Sequence, residues 1–372
     1  MTRVMNIAVV GAGGFARFAV GEFIKIPGVQ VGGVYDAIPG NAELLRQIAS
    51  SAAIYDSYEA LLANEHIELV YIATPPYLHY AQSKAALLHG KHVICEKPAA
   101  ICLAHAVELR ALAAERDLLF VVNLMQRYNP LYHAVDALIR QKVLGAFLHG
   151  YFENYASDEF LSEKHWFWEE NKSGGIFIEH GVHFFDMFAG WLGEGQVVAA
   201  QKLKRAGAAA IWDRAQATVL YAKGLVNFYH GFDQPKLMDR QEMRLQFEKG
   251  EITLYEWVPT RMELHAICDQ KELAALQHIF TDSVLEQEMT FTPVHLSRGR
   301  FKPIEAAYKI RLYSGKPTEK DVLYRQLVQD MFIDQLSWIR DKTHVRLINA
   351  DNAVTSLKTA MDADQRAVRF GE

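Results

Sequence analysis

Residues 6–16 read NIAVVGAGGFA, an apolar run that breaks into glycines and then resumes with helix-compatible residues. Asn6–Val10 suits a buried strand, and Gly11-Ala12-Gly13-Gly14-Phe15-Ala16 has the G-x-G-x-x-A form of the dinucleotide fingerprint. Each residue type has a physical task. Gly11 permits a tight turn. Gly13 has no Cβ, so a pyrophosphate can approach the backbone. Ala16 lets the following helix pack close to the strand. The start of that helix would offer unpaired N–H groups to phosphate oxygens. With Gly14 and Phe15 completing the loop, the whole stretch is a candidate cofactor site.

Outward from this point the pattern repeats. Val29–Tyr35 reads as a second strand and ends in Asp36, twenty residues beyond Ala16. An acid there can accept hydrogen bonds from the adenosine ribose hydroxyls. It would also repel a 2′-phosphate, at a cost on the order of several kcal/mol, so NAD is expected in preference to NADP. A glycine turn with a surface acid is the competing reading, and the strand–turn–helix context with this acid spacing argues against it. Strand candidates at Ile67–Ala73, His92–Cys95 and Leu118–Val122 alternate with helical stretches at 41–50, 78–89 and 99–116. Such alternation implies a parallel sheet covered on both faces. Ligands on these sheets bind beyond the C-terminal strand ends, where Gly11–Ala16, Thr74-Pro75-Pro76 and Glu96-Lys97-Pro98 converge. Lys97 follows the strand His92–Cys95 and Glu96, where an ammonium could sit beside a nicotinamide and a substrate hydroxyl; a surface lysine at a strand end is the competing reading.

The second informative stretch is GGIFIEHGVHFFD, residues 174–186. Glu179 and His183 are four residues apart, so on a helix they share one face. The carboxylate could then orient the imidazole as a general base requires. A satisfied structural pair is the competing reading, and so is a metal site with His180 as third ligand. Neighbouring helical residues point about 100° apart, which disfavours three converging ligands, so no metal is expected.

Composition narrows the class. A chain of 372 residues has room for two domains, and 50% hydrophobic with 22% charged residues is ordinary for a globular protein. A formal charge of −5 gives no nucleic-acid footprint. Cys95, Cys102 and Cys268 fit neither a zinc site nor a disulfide framework. No signal peptide and no apolar run of ~18 residues is visible, so a cytoplasmic protein without membrane partners is expected.

Taken together, Gly11–Ala16, the Ala73-Thr74-Pro75 loop with His79, AALLHGKHVICEKP at 85–98, Arg127-Tyr128-Asn129-Pro130 and GGIFIEHGVHFFD resemble the glucose–fructose oxidoreductase / inositol dehydrogenase / rhizopine catabolism (Gfo/Idh/MocA) family. The resemblance implies an α/β fold: a Rossmann domain over residues 1–124, then an α+β domain over 125–372. The latter would hold a large, mostly antiparallel open sheet that pairs subunits into a homodimer or homotetramer, with a C-terminal helix packing back on the Rossmann domain. Strand candidates at Phe147–Tyr155, Gln216–Tyr221, Leu225–Gly231, Glu242–Glu248 and Glu251–Tyr255 agree with such a sheet. The region Glu263–Ser314 has no clear reading; Arg298, Arg300 and Lys302 are expected in a loop.

The resemblance also implies site roles. Thr74, Pro75, His79, Glu96 and Lys97 would contact the cofactor, with Lys97 also reaching the substrate, and the Lys97–Pro98 peptide would be cis. His183 would be the acid/base and Glu179 its partner, although the family more often has aspartate there. His180 replaces a usually apolar residue, and Pro76 a frequent asparagine. Arg127, Asn129, Trp166 and His180 are candidate substrate-lining residues, the aromatics of 155–168 suiting C–H faces of a polyol; core or subunit-interface packing is the competing reading for Trp166, Phe167 and Trp168. The expected activity is NAD(P)-dependent hydride transfer to or from a carbinol carbon of a sugar or polyol. The alternatives are glycosidase-type chemistry through transient NAD redox, another redox reaction of the same family, or a non-catalytic NAD- and sugar-binding regulator.

Overall fold

The computed structural model describes residues 4–158, 160–208, 211–298, 303–315 and 320–371. In chain order the elements are β1 (Met5–Val10), α1 (Gly14–Phe23), β2 (Val29–Tyr35), α2 (Pro39–Ile48), β3 (Ala53–Ile54), α3 (Tyr58–Leu62), β4 (Leu69–Ile72), α4 (Pro76–Leu88), β5 (His92–Cys95), α5 (Leu103–Glu115) and β6 (Phe120–Val122). There follow α6 (Pro130–Gln141), β7 (Phe147–Tyr155), α7 (Glu170–Ser173), a π turn (Phe177–Gly181) and α8 (Val182–Leu192). The chain continues through β8 (Gly195–Lys204), β9 (Trp212–Tyr221), β10 (Gly224–Gly231), β11 (Arg240–Phe247), β12 (Gly250–Tyr255), β13 (Arg261–Cys268), α9 (Gln270–Ile279), β14 (Val284–Arg298) and β15 (Pro303–Gly315). It closes with α10 (Lys320–Arg340), α11 (Ala350–Arg366) and β16 (Val368–Phe370).

The chain forms two compact units, each discontinuous in sequence. One comprises residues 1–125, 164–186 and 325–364; the other comprises 126–163, 187–324 and 365–372. The first is built on a six-stranded parallel sheet of order β3-β2-β1-β4-β5-β6. This is the doubly wound order, with its switch point between β1 and β4. β4 is buried at every position, as a strand covered on both faces must be. α10 and α11 also belong largely to this unit. Phe23 of α1 stacks on Phe332 of α10 at 4.0 Å, while the Glu22 carboxylate accepts from Arg325 (2.6 Å) and Gln329 (2.7 Å) of α10.

The second unit is built on a ten-stranded sheet of order β14-β15-β13-β12-β11-β7-β10-β9-β8-β16. Its neighbours run antiparallel except β7–β10 and β8–β16. Alternation sets its faces. Met243, Leu245 and Phe247 of β11 are buried, as are Met262, Leu264, Ala266 and Cys268 of β13, while the residues between them face out. Three of the sheet's strands, β13 to β15, lie in the stretch for which no structure was read. Arg298 ends β14 rather than sitting in a loop; Arg300 and Lys302 lie outside the described residues. No helix among the described residues is long and apolar enough to cross a membrane.

Candidate active site

Register delivers the functional segments to one edge of the parallel sheet. Val10 lies opposite Tyr35 and Ile72, and Ile72 lies opposite Cys95. The ladder runs on past the strands: Gly11 N donates to Tyr35 O (2.9 Å), Ala73 N to Val10 O (2.8 Å) and Glu96 N to Ile72 O (2.8 Å). The fingerprint turn, Asp36, Thr74 and Lys97 therefore follow the C-terminal ends of adjacent strands. Gly11 has φ +83°, and a Cβ there would lie 2.7 Å from the backbone of Ala73. Only glycine allows this approach.

A Cβ built on Gly13 or Gly14 meets nothing within 4 Å. This open space lies at the N-terminus of α1, where N–H groups lack intrahelical acceptors. The surroundings thus fit a dinucleotide pyrophosphate. Asp36 braces the turn, its Oδ2 accepting from Ala12 N and its Oδ1 from Ile38 N, both at 2.7 Å. Arg17 Nη1 closes the same turn by donating to Ala12 O (2.8 Å). Arg17 was not singled out in the sequence, although it stands one residue beyond the fingerprint.

Lys97 is the centre of the arrangement. Its peptide to Pro98 is cis. Its Nζ donates to the main-chain carbonyl of Glu179 (2.9 Å) and makes a short ion pair with the Glu179 carboxylate. Both side chains are largely removed from solvent. This corrects the expectation that Glu179 orients His183: the carboxylate is committed to the ammonium 82 residues upstream. The longer stem of glutamate supplies reach for that pairing. The segment is also not a plain α-helix. Phe177–Gly181 forms a π turn, and α8 begins only at Val182. Such turns insert an extra residue and re-aim side chains, often at functional positions.

His183, in the first turn of α8, is almost fully buried. Burial, with the Lys97 charge adding to it, pushes its pKa down to about 3. Its imidazole is therefore neutral across the physiological range. His180 is half-buried, with its ring 5.1 Å from that of Phe184. Among the described residues, no group of three or more His, Cys, Asp or Glu side chains gathers as a metal would need.

Two further residues brace the Lys97 loop. Glu96 Oε1 accepts from Tyr71 Oη (2.6 Å) and Asn123 Nδ2 (2.9 Å), and burial raises its pKa. The hydroxyl inside the apolar run IELVYIA and the first polar residue after β6 were the signals available for Tyr71 and Asn123. His79 is buried, with Nδ1 2.7 Å from Pro98 O and Nε2 2.6 Å from Thr74 O. It is corrected from cofactor ligand to internal brace, since neither ring nitrogen is left for a ligand. Thr74 Oγ1 donates to Gln82 Oε1 (2.5 Å).

Of the substrate-lining candidates, Trp166 belongs to the same unit. It is half-buried in a single 3₁₀ turn, its ring 5.2 Å from that of His165. Arg127 and Asn129 belong to the second unit. The Arg127 guanidinium lies 5.7 Å from the Tyr132 ring centre. Asn129 is corrected to a structural role: it is fully buried, its Oδ1 accepting from Leu131 N to cap α6 and its Nδ2 donating to Pro259 O (2.8 Å).

Residues 5–124 match the oxidoreductase family described by its NAD-binding Rossmann fold, and residues 132–253 match the GFO/IDH/MocA C-terminal domain. The chain belongs to the Gfo/Idh/MocA family. Among similar proteins, an uncharacterised oxidoreductase of Synechocystis is 29% identical over 204 residues, 53% of each chain. Glucose-6-phosphate 3-dehydrogenase of Bacillus subtilis is 28% identical over 186 residues, 49% of this chain and 52% of its own. The chain spans about half the length of the curated relatives it matches. In fold it is similar to a 3-ketoreductase from Actinomadura kijaniata solved with NADP and TDP-benzene, at TM-score 0.75 and 15% identity, covering 99% of this chain and 100% of that one.

Proposed function

We propose that this Gfo/Idh/MocA oxidoreductase transfers hydride reversibly between a nicotinamide cofactor and a carbinol carbon of a sugar or polyol derivative. The observation that carries the reading is the Lys97 ammonium, which follows the strand end two ladder steps from the fingerprint turn and is anchored twice by Glu179. A bound nicotinamide would supply the hydride acceptor or donor. Gly11, Gly13, Gly14, Phe15 and Ala16 would hold its pyrophosphate, and the loops at Thr74–Pro75 and Glu96–Lys97 would flank it. Lys97 stabilises the oxygen that gains negative charge as the carbinol is oxidised. A preorganised donor of this kind is worth ~10²–10³ in rate. Glu179 fixes the ammonium rather than the imidazole. His183, neutral at rest, has the lone pair that takes the hydroxyl proton, and a nearby alkoxide oxygen favours the imidazolium so formed.

Asp36 supports NAD over NADP, because its carboxylate would oppose a 2′-phosphate. The names of the Bacillus dehydrogenase and the Actinomadura ketoreductase both specify position 3, which supports carbon 3 of a hexose derivative as the reacting centre. We also propose that the open face of the ten-stranded sheet pairs two copies of the chain.

The test is a panel of hexoses, hexose phosphates, nucleotide sugars and inositols assayed for NADH and NADPH formation, with the keto product located by NMR. NADH formation with a 3-keto product is the expected result. Glycoside cleavage by tightly bound NAD that never accumulates as NADH would overturn it, and equal affinity for NAD and NADP would remove the role given to Asp36.

A further inference from the structure

The His79 ring lies between two acceptors. Nδ1 is 2.7 Å from the carbonyl oxygen of Pro98, and Nε2 is 2.6 Å from that of Thr74. A neutral imidazole carries one N–H and one lone pair. In either neutral tautomer a nitrogen lone pair would face a carbonyl lone pair at hydrogen-bond distance. The imidazolium has two N–H groups and satisfies both carbonyls, at separations typical of charge-assisted bonds. The two carbonyls sit on different loops: Thr74 follows β4, and Pro98 follows β5 and adjoins Lys97.

We propose that His79 is a protonation-dependent positioning residue: its imidazolium ties the Thr74 loop to the Lys97–Pro98 loop and so sets the Lys97 ammonium. When the ring loses a proton, one of the two bonds is lost and the loops are no longer held at this spacing. Several influences set the balance. Burial is the largest and works against the charge; the two carbonyls favour it; Lys97 opposes it and Glu179 supports it, and the balance leaves the ring's pKa below its ordinary value. Lys97 acts on the ring from the loop after β5 and Glu179 from the π turn. The Lys97–Glu179 pair therefore both depends on the clamp for its position and feeds back on its proton.

The clamp matters for catalysis only through the oxidoreductase reading above, but its test needs no substrate. ¹⁵N-histidine-labelled, cofactor-free protein is followed by long-range ¹H–¹⁵N spectra from about pH 4 to about pH 8, a span reaching well below the ordinary imidazole pKa because burial lowers that of His79. His79→Asn assigns the signal, and His79→Gln serves if that variant does not fold. Both ring nitrogens should carry protons at the acid end, with one lost as pH rises. NAD affinity, measured by calorimetry, should fall on the order of tenfold over the same step, the scale of one hydrogen bond, and His79→Asn should bind weakly with no such step. A ring singly protonated throughout the range overturns the proposal. So does a wild-type affinity profile that tracks the variant's. If hydride transfer fails while the titration is as described, the clamp stands and the activity reading falls. The reverse outcome removes only the clamp.

Discussion

The two sheets use polar residues in opposite ways. In the six-stranded sheet the strands are apolar and buried, and the reactive groups are concentrated where they end: the fingerprint turn, Asp36, Thr74, Glu96 and Lys97. In the ten-stranded sheet the polar residues are spread along the strands. One face is packed with Met243, Leu245, Met262 and Leu264, while the other carries tyrosine, arginine and glutamate in rows. Arg240 lies over Tyr155 at 4.8 Å, Arg244 over Tyr151 at 5.5 Å and Arg261 over Tyr255 at 4.2 Å. A localised arrangement makes single residues decisive. A distributed one makes each contribution small and their sum a surface property. Substitutions can test that contrast.

The largest effect should fall on Lys97. Lys97→Ala removes a preorganised donor and leaves the buried Glu179 carboxylate without its cation, so kcat should drop ~10²–10³-fold in the assay that the substrate panel identifies. A drop below tenfold would show that the reaction does not centre on this ammonium. Next come two glycines of one turn. Gly11→Ala places a Cβ 2.7 Å from the Ala73 backbone at φ +83°, and should cost ~3 kcal/mol of stability, at the upper end for a left-handed non-glycine residue. Gly14→Ala meets open space. It should leave the melting temperature of the free protein within error while weakening NAD binding. Equal melting temperatures for the two variants would break the distinction between a packing glycine and a ligand-facing one.

The same contrast explains what was legible in the sequence. β2, β5 and β7 were read at their observed bounds because Gly28, Gly90 and Gly145 punctuate their starts and polar residues closely follow their ends. The candidate site residues were named from glycine and strand-end signals, which are local. The partner of Glu179 was not, because Lys97 is 82 residues away in sequence and only sheet register and a π turn bring them together. His79 was named as a ligand because nothing local reveals that two carbonyls enclose it. β14 escaped because it is exposed along nearly its whole length, leaving no alternation to read. β13 does alternate, at Met262, Leu264, Ala266 and Cys268; there the signal was present and was missed.

A third, smaller effect tests whether a polar group away from the site can also be decisive in the first unit. Glu22 is 1% exposed. Burial pushes its pKa up, but hydrogen bonds from Lys25, Arg325 and Gln329 outweigh this and hold it below its ordinary value. Because the folded value is the lower one, its stabilisation is full above the unfolded pKa and is lost as pH falls through the folded pKa. Glu22→Gln should therefore cost about 2 kcal/mol at neutral pH, as expected for charge-assisted bonds. The variant should also lose less stability than the wild type between about pH 5 and pH 3, the window around an unperturbed glutamate. Denaturant titrations at the two ends of that window measure both effects, and parallel curves for variant and wild type would mean that Glu22 contributes no pH-dependent anchoring of α10.

The smallest single effects belong to the open face, and they decide what that face is for. Glu153 and Glu242 stand directly opposite each other across β7 and β11, an arrangement that is unfavourable in isolation. Arg240 approaches Glu153 at 3.9 Å, and Tyr151 Oη donates to Glu242 (3.1 Å). Burial, and then the neighbouring Glu242 charge, raise the pKa of Glu153. In a solvent-facing sheet, Arg244→Ala or Arg261→Ala should cost about 0.5–1 kcal/mol each through the lost cation–π contact, independent of protein concentration. If a second copy covers the face, as proposed, the same substitutions weaken association as well. The loss in melting temperature then grows on dilution, and sedimentation shows a shift toward the monomer. Unchanged mass together with a concentration-independent loss would sink the pairing through this sheet, and the rows of arginine and tyrosine would then be an ordinary solvated face.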